Sequence, residues 1–302
     1  MKLLLTGAFK YSQEQLNMIQ SLGYEVTFVQ DERVPLDIDV SEFEAVVCNS
    51  LFLYNDITRF KKLEFIQLTS AGLDRVPLDY LKEKGIKLFN AKGVYSIPMA
   101  EWVVLKILEI YKKSRKFYDN QAEHKWDKQR DLLELTDKTA SIIGFGSVGY
   151  EVAKRLKAFD VKVIGVGRRK IESDLLDEYY LIEDIDQVLN KSDIVILTLP
   201  LTEETRHLID RDKIKNMKDN SVLVNVSRGG VIDEAALIEA IQCGKFLGVA
   251  LDVFEEEPIS KDDLLWDLEN VIITPHNSFI SDKVSDRLFE CIEANLRCIL
   301  II

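Results

Sequence analysis

Short apolar runs and longer amphipathic stretches alternate along this chain almost from end to end. KLLLTGA, YEVTFVQ, FEAVVCNS, LEFIQLTSAG and IKLFNA are apolar and β-rich and predict strands, while SQEQLNMIQSLG and LDYLKEKG predict the helices between them. A second series starts at TASIIGFG and continues through VKVIGVG, DIVILTLP, SVLVNVS, FLGVALDVF and NVIITPH. Strands that are apolar throughout and separated by helices predict parallel sheets covered on both faces. Between the series, Met99, Val103, Ile107, Ile110 and Tyr111 recur at helical spacing and predict one long helix joining two lobes. Val284, Leu288, Ile292 and Leu296 repeat the pattern near the end, a second long helix returning to the first lobe. The expected fold is therefore α/β, with two Rossmann-like or flavodoxin-like lobes separated by an active-site cleft and joined by two long helices. The expected boundaries are 1–96 plus 281–302 for one domain and 97–280 for the other. Ligands of open α/β sheets bind in such clefts.

The totals narrow the function. A chain of 302 residues exceeds what one hydrophobic core normally serves, which agrees with two domains. A formal net charge of -12 argues against nucleic acid or an anionic membrane as partner, since both want a basic face. An anionic substrate would need local cations to capture it. Cys48, Cys243, Cys291 and Cys298 fall at spacings that match no zinc or CxxC pattern, so they read as incidental thiols and no metal is expected. The opening MKLLLTGAFKY holds too short an apolar run for a signal peptide, and a cytoplasmic location follows by default.

The segment GFGSVG, Gly144 to Gly149, follows the apolar run SIIG and opens the helical SVGYEVAKRLKAF, with VKVIGV after it. Glycine-rich turns are common in loops, but a strand before and a helix after supply the setting of a dinucleotide site. Gly144 permits the tight turn, Gly146 lets the backbone approach a pyrophosphate, and Gly149 lets helix pack on strand. Amides around Ser147 and Val148 would hold the phosphates. About twenty residues on, NAD enzymes offer Asp or Glu to the adenosine ribose. Here Gly167 stands instead, followed by Arg168, Arg169 and Lys170. Without the carboxylate a 2′-phosphate meets no repulsion, and a guanidinium can grip it through paired hydrogen bonds. NADP(H) is expected in preference to NAD(H).

Hydride transfer to a ketone needs a proton donor and a substrate anchor. His276 closes NVIITPH at a strand end, whereas His207 lies in the polar TEETRHLID and His124 in the charged AEHKWDK. Upstream, ALDVFEEEP places Glu257 directly before Pro258. A carboxylate paired with an imidazole favours the charged ring and fixes its orientation. Glu255 and Glu256 compete for that role, but proline confines the residue before it to extended backbone, so Glu257 is the best defined. In NVSRGGVIDE, Arg228 ends a strand in the same lobe. An arginine there can bind a carboxylate bidentately while polarising the neighbouring carbonyl. Gly229 and Gly230 would keep bulk away from it, and Asp233 would cap the helix that follows.

GFGSVG, NVSRGGVIDEAAL, ALDVFEEEP and TPHNS, in this order and spacing, resemble the D-isomer-specific 2-hydroxyacid dehydrogenases. The resemblance extends over nearly the whole chain, including TSAGLDRV and the helix after GVYSIPMAEW. It implies a catalytic trio of Arg228, Glu257 and His276, with His276 as acid/base. It implies that Asp252 holds the nicotinamide amide and that Phe145, Leu199, Pro200, Val226 and Ser227 complete the cofactor site. By the same resemblance Ser70, Ala71 and Gly72 of the first, substrate-binding domain would bind the substrate carboxylate, and the chain would form a homodimer through the helix at 98–118.

The chain departs from the family pattern at Arg75, where asparagine is common, and at Asn277 and Ser278, where glycine or alanine is common. Arg75 is expected to point to solvent rather than enlarge an anionic site. The apolar end NLRCILII is expected to pack on the first lobe or on a partner subunit. The leading expectation is an NADPH-dependent reductase of small 2-keto acids such as glyoxylate or hydroxypyruvate. An NAD-dependent 3-phosphoglycerate dehydrogenase is the alternative, disfavoured by the short chain and by Gly167. Formate dehydrogenases pair the histidine with glutamine, which Glu257 argues against. A nicotinamide-sensing binding protein would keep the glycines without needing the trio.

Overall fold

A computed structural model of the chain describes residues 1–300, so Ile301 and Ile302 of the expected packing end lie outside the described residues. The chain divides into two compact units, Met1–Tyr95 with Ser281–Ile302, and Ser96–Ile280.

The first unit carries β1 (Lys2–Thr6), β2 (Glu25–Val29), β3 (Ala45–Cys48), β4 (Phe65–Leu68) and β5 (Lys87–Phe89), parallel in the order β2-β1-β3-β4-β5. The second carries β6 (Thr139–Ile143), β7 (Lys162–Gly167), β8 (Glu178–Leu181), β9 (Ile194–Leu197), β10 (Ser221–Asn225), β11 (Phe246–Leu251) and β12 (Val271–Ile273). These are also parallel, in the order β12-β11-β10-β9-β6-β7-β8. The helices are α1 (Gln13–Ser21), α2 (Leu51–Tyr54), α3 (Leu78–Lys84), α4 (Ser96–Tyr111), α5 (Ser114–Ala122), α6 (Ser147–Lys157), α7 (Ile185–Leu189), α8 (Arg211–Asn216), α9 (Glu234–Gln242) and α10 (Val284–Ile299).

Successive strand residues point to opposite faces, so a strand apolar at every position feeds two cores. In β1, Leu3 and Leu5 pack with Ile19 of α1 and with Ile292 and Leu296 of α10, while Leu4 faces Leu51 and Leu81 of α2 and α3. In β6, Ile142 joins Val103, Ile107 and Leu156 of α4 and α6, while Ile143 joins Val188, Ile214 and Leu237 of α7, α8 and α9. Both sheets are thus α/β layers of the expected kind.

Two expectations change. The single long helix after GVYSIPMAEW is broken: α4 ends at Tyr111, Lys113 takes a left-handed φ of 52°, and α5 begins at Ser114. The amide of Leu133 donates to the Tyr111 carbonyl at 3.1 Å, and Lys112 Nζ donates to the Leu133 carbonyl at 2.6 Å. The Tyr111 carbonyl would otherwise serve the next helical turn. The edge strand β8, in DEYYL, was not anticipated at all; its charged and aromatic residues are only half buried.

Candidate active site

The strand ends of the second unit assemble the site. At the end of β6, Gly144 has a φ of +98°, and a Cβ there would lie 2.6 Å from the backbone nitrogen of Leu199. Only glycine lets the β6 turn approach the segment after β9 so closely. Leu199 is buried, Thr198 Oγ1 donates to the Gly144 carbonyl at 2.8 Å, and Thr205 Oγ1 donates to the Pro200 carbonyl at 2.7 Å. A Cβ on Gly149 would meet Ile142 Cγ2 at 2.9 Å, so this glycine seats α6 on β6. A Cβ on Gly146 would meet nothing nearer than the Gly144 carbonyl at 3.9 Å. Among the described residues no side chain caps α6, whose N-cap is Gly146. The amides opening at Ser147 and Val148, beside a glycine with open space above it, fit a pyrophosphate. Phe145 packs into the core beneath the turn.

At the end of β7, Gly167 is fixed by a neighbour that the sequence did not disclose. A Cβ at 167 would collide with the Tyr179 hydroxyl. That hydroxyl donates to the Arg169 carbonyl at 2.6 Å, and the ring lies where a Gly165 side chain would project, 2.9 Å from its would-be Cβ. Tyr179 therefore holds the turn that presents Arg168 and Arg169, whose side chains are exposed.

The chemistry-bearing residues follow β10, β11 and β12. Beyond β10, Val226 is buried, Ser227 donates through N and Oγ to Asn225, and half-buried Arg228 donates from Nη1 to the Ser227 carbonyl at 2.8 Å. Gly229, expected to keep bulk away from Arg228, makes room for protein. A Cβ there would strike the Phe254–Glu255 backbone, so glycine lets the Arg228 turn lie directly on the β11 turn. Asp233 caps α9, accepting from the Ala236 amide at 3.0 Å.

Beyond β11, Glu257 Oε1 accepts from the Phe254 amide at 3.1 Å and Oε2 pairs with His276 Nδ1 at 2.8 Å. Burial pushes the Glu257 carboxyl up, but the hydrogen bonds from His276 and the Phe254 amide, with the charges of His276 and Arg228, outweigh it and hold it below its ordinary value. Arg228, Glu257 and His276 thus form one electrostatic group. Glu255 instead pairs with His207 Nε2 at 2.7 Å and exchanges amide-to-carboxylate hydrogen bonds with Glu234, while Glu256 and His124 are exposed. His276 has a φ of 50°, a left-handed conformation uncommon outside glycine. Asp252 is fully buried and accepts from Thr274 Oγ1, the Asn277 amide and the Ser278 amide. Asn225, Thr274 and Tyr179 were missed by sequence reasoning. The only signal was a polar residue ending or interrupting an apolar run.

In the first unit, the turn after β4 is held by its carbonyl edge. Ser70, Ala71 and Gly72 accept from the Ala91 amide, Asn90 Nδ2 and Ser70 Oγ respectively. Arg75 does not point to solvent. It is half buried and donates from Nη1 to Ser50 Oγ at 3.2 Å, because Ser50 opens α2 next to the turn that carries it. Among the described residues no cluster of metal-ligating side chains occurs, and no helix is long and apolar enough to cross a membrane.

Comparison with known proteins places this geometry. Residues 104–278 match the profile of the D-isomer specific 2-hydroxyacid dehydrogenase NAD binding domain. A hydroxypyruvate reductase of Thermotoga maritima is 41% identical over 220 residues, covering 72% of this chain and 71% of that protein. A D-3-phosphoglycerate dehydrogenase of Archaeoglobus fulgidus is 35% identical over 273 residues, which is 88% of this chain but 51% of that protein. The crystal structure of a glyoxylate reductase from Paecilomyes thermophila superposes with a TM-score of 0.85 at 26% identity, over 98% of this chain and 94% of that one. With the glycine turn, the strand-end cluster and these relatives together, the chain belongs to the D-isomer specific 2-hydroxyacid dehydrogenases, NAD(P)-dependent oxidoreductases of small keto and hydroxy acids.

Proposed function

We propose that the protein reduces a small 2-keto acid of the glyoxylate or hydroxypyruvate type to the D-2-hydroxy acid, with NADPH preferred over NADH. The observation that carries this reading is the His276–Glu257 pair at 2.8 Å, with the Arg228 charge acting on the same carboxylate. When bound, the nicotinamide supplies a hydride to the carbonyl carbon. The residues do the rest. Glu257 engages Nδ1 of His276 and so leaves Nε2 to deliver a proton to the carbonyl oxygen as it becomes an alkoxide. Arg228 anchors the substrate carboxylate and polarises the carbonyl. Ser70, Ala71 and Gly72 offer their amide edge to the substrate, the carbonyl edge being engaged by the protein. Three of the roughly four acceptor positions of Asp252 are taken by protein donors, and the fourth receives the nicotinamide amide. Ser147 and Val148 amides hold the pyrophosphate, with Leu199, Pro200, Val226 and Ser227 against the nucleotide, and Gly167, Arg168 and Arg169 accept the 2′-phosphate.

The test is the initial rate of NADPH and NADH oxidation with glyoxylate, hydroxypyruvate, pyruvate and phosphohydroxypyruvate. The expected result is turnover of glyoxylate or hydroxypyruvate, faster with NADPH. Equal or better rates with NADH would overturn the cofactor preference, and a best rate with phosphohydroxypyruvate would overturn the substrate class. The reading includes a homodimer. A groove beside the edge strand β12, lined by Ile110, Tyr118, Leu247 and Val271, and the exposed Trp126 support it, and sedimentation velocity checks it.

A further inference from the structure

We propose that Asn225 and Asp252 form a buried positioning pair that fixes the two turns bearing Arg228 and His276. The pair sits at the ends of the adjacent parallel strands β10 and β11, where Asn225 lies opposite Leu251, and both side chains are completely buried. Their backbones are joined by the Asp252 amide, which donates to the Asn225 carbonyl at 3.1 Å.

Each side chain holds one turn. Asn225 Oδ1 accepts from Ser227 N at 3.0 Å and Ser227 Oγ at 2.7 Å, and Nδ2 donates to the Arg228 carbonyl at 3.1 Å. The amide therefore brackets the turn from which Arg228 projects. Asp252 Oδ1 accepts from Thr274 Oγ1 at 2.5 Å and from Asn277 N at 2.7 Å, and Oδ2 accepts from Ser278 N at 2.9 Å. The Asp252 carbonyl accepts from His276 N at 2.8 Å. Donors before, at and after His276 thus converge on this one residue, the His276 amide also reaching the Thr274 carbonyl at 3.0 Å, which keeps the histidine in its left-handed conformation.

The residue types follow from hydrogen-bond polarity. The Arg228 turn presents two donors and one acceptor, which an amide satisfies and a carboxylate does not. The His276 turn presents donors only, which a carboxylate satisfies and an amide does not. In a buried network a mismatched group has no water to turn to, so each exchange breaks the geometry it faces. Asn277 and Ser278, which depart from the family pattern, enter through backbone amides and leave this arrangement intact. Asn225 and Asp252 are positioning residues here: Arg228 and His276 do the chemistry.

The proposal rests on the reading of Arg228 as anchor and His276 as proton donor, and the test separates the two. Thr274→Val removes one hydroxyl donor without changing volume, and Thr274→Ser restores it. Asn225→Asp replaces the donor facing the Arg228 carbonyl with an acceptor and so loses that bond, and Asn225→Ser, too short to bridge the turn, stands in for it where the aspartate variant does not fold. The quantities measured are kcat, KM for hydroxypyruvate, the Kd of NADPH by fluorescence, and Tm. T274V is expected to lower kcat about tenfold, the equivalent of one hydrogen bond to a charged group, with T274S near wild type. The Asn225 variants are expected to raise KM for hydroxypyruvate about tenfold. In all of them the Kd of NADPH is expected to change much less than kcat or KM, since its phosphates are held at the β6 turn and only its contacts near Ser227 and Asp252 are disturbed. Wild-type kcat in folded T274V, or equal losses in KM and NADPH binding for the Asn225 variants, would overturn the proposal. His276→Ala, measured alongside, tests the underlying reading. Lost turnover in H276A with an unaffected T274V sinks the positioning pair alone, while retained turnover in H276A sinks both.

Discussion

If the site prefers NADP as proposed, replacing Gly167 with aspartate is the obvious way to turn it toward NAD, and this structure predicts that the change fails on its own. The new Cβ would collide with the Tyr179 hydroxyl. Tyr179 cannot move freely, because its hydroxyl donates to the Arg169 carbonyl at 2.6 Å and its ring occupies the space above Gly165. Displacing it forfeits one hydrogen bond, about 1 kcal/mol, and repacks a filled site at about 1–3 kcal/mol more. G167D is therefore expected to lose about 2–4 kcal/mol of stability, roughly 5–15 °C in Tm. Tyr179→Phe removes the one clashing atom and leaves the ring carbon Cζ 3.6 Å from the new Cβ, an ordinary contact. Y179F alone is expected to lose about 1 kcal/mol, and G167D/Y179F little more, which makes the coupling between the sites about 2–4 kcal/mol. Once the introduced aspartate is accommodated, its carboxylate repels a 2′-phosphate and accepts from the ribose hydroxyls, so the ratio of NADPH to NADH affinity inverts in the double variant. Thermal unfolding of the four proteins, with Kd for both nucleotides, checks this. Purely additive Tm losses, or a G167D protein as stable as wild type with its preference already switched, would refute the reasoning.

Three further outcomes are expected. Glu257→Gln breaks the charge-assisted bond to His276 and is expected to lower kcat about 10- to 100-fold; since the folded carboxyl titrates below its unfolded value, the stability it contributes is present above about pH 4.3 and lost as pH falls through the lower folded value, so wild type and E257Q should converge in Tm only in acid. Glu234 shows the opposite sign: burial, then the Glu255 and Asp263 charges, raise its carboxyl despite the Glu255 amide, so its ionised form opposes folding and the strain grows as pH rises through the folded value. Glu234→Gln should therefore gain Tm over wild type at pH 7–8 and lose that advantage near pH 4, as a pH series of melts would show. Gly144→Ala puts a methyl against the Leu199 backbone at a φ of +98° and is expected to cost about 2–5 kcal/mol and to weaken NADPH and NADH alike, measured by denaturant unfolding and nucleotide fluorescence.

What the sequence disclosed depended on whether the cause was local. The β6 turn was legible because its glycines answer to neighbours a few residues away, and the His276–Glu257 pairing because Pro258 singled out one carboxylate of three. The break after Tyr111 was not, since the group that takes its carbonyl is the Leu133 amide, 22 positions further along. Gly167 was read as the absence of a carboxylate, whereas in the structure it is also the presence of Tyr179, on a strand too polar to be recognised as one. Arg75 was misread because Ser50, its partner, comes from another strand end. Asn225 and Thr274 looked like the polar last residues of apolar runs, and only the parallel register of β10, β11 and β12 gives them partners.

The order of the strands explains why these residues act as separable groups. The glycine turn follows β6, at the point where the strand order reverses, and the Gly167–Arg169 turn proposed for the 2′-phosphate follows its neighbour β7. Arg228, Glu257 and His276 follow β10, β11 and β12, the opposite half of the same edge, with the Leu199–Pro200 segment after β9 between the halves. Nucleotide selectivity and proton transfer are thus built on different strands and meet only through β9. A change at Gly167 or Tyr179 should alter which nucleotide binds without altering the proton donor, and a change at Glu257 or Thr274 should alter turnover without altering which nucleotide binds. Gly144 is the exception, because its turn is packed on Leu199 itself and so touches the strand that joins the two halves.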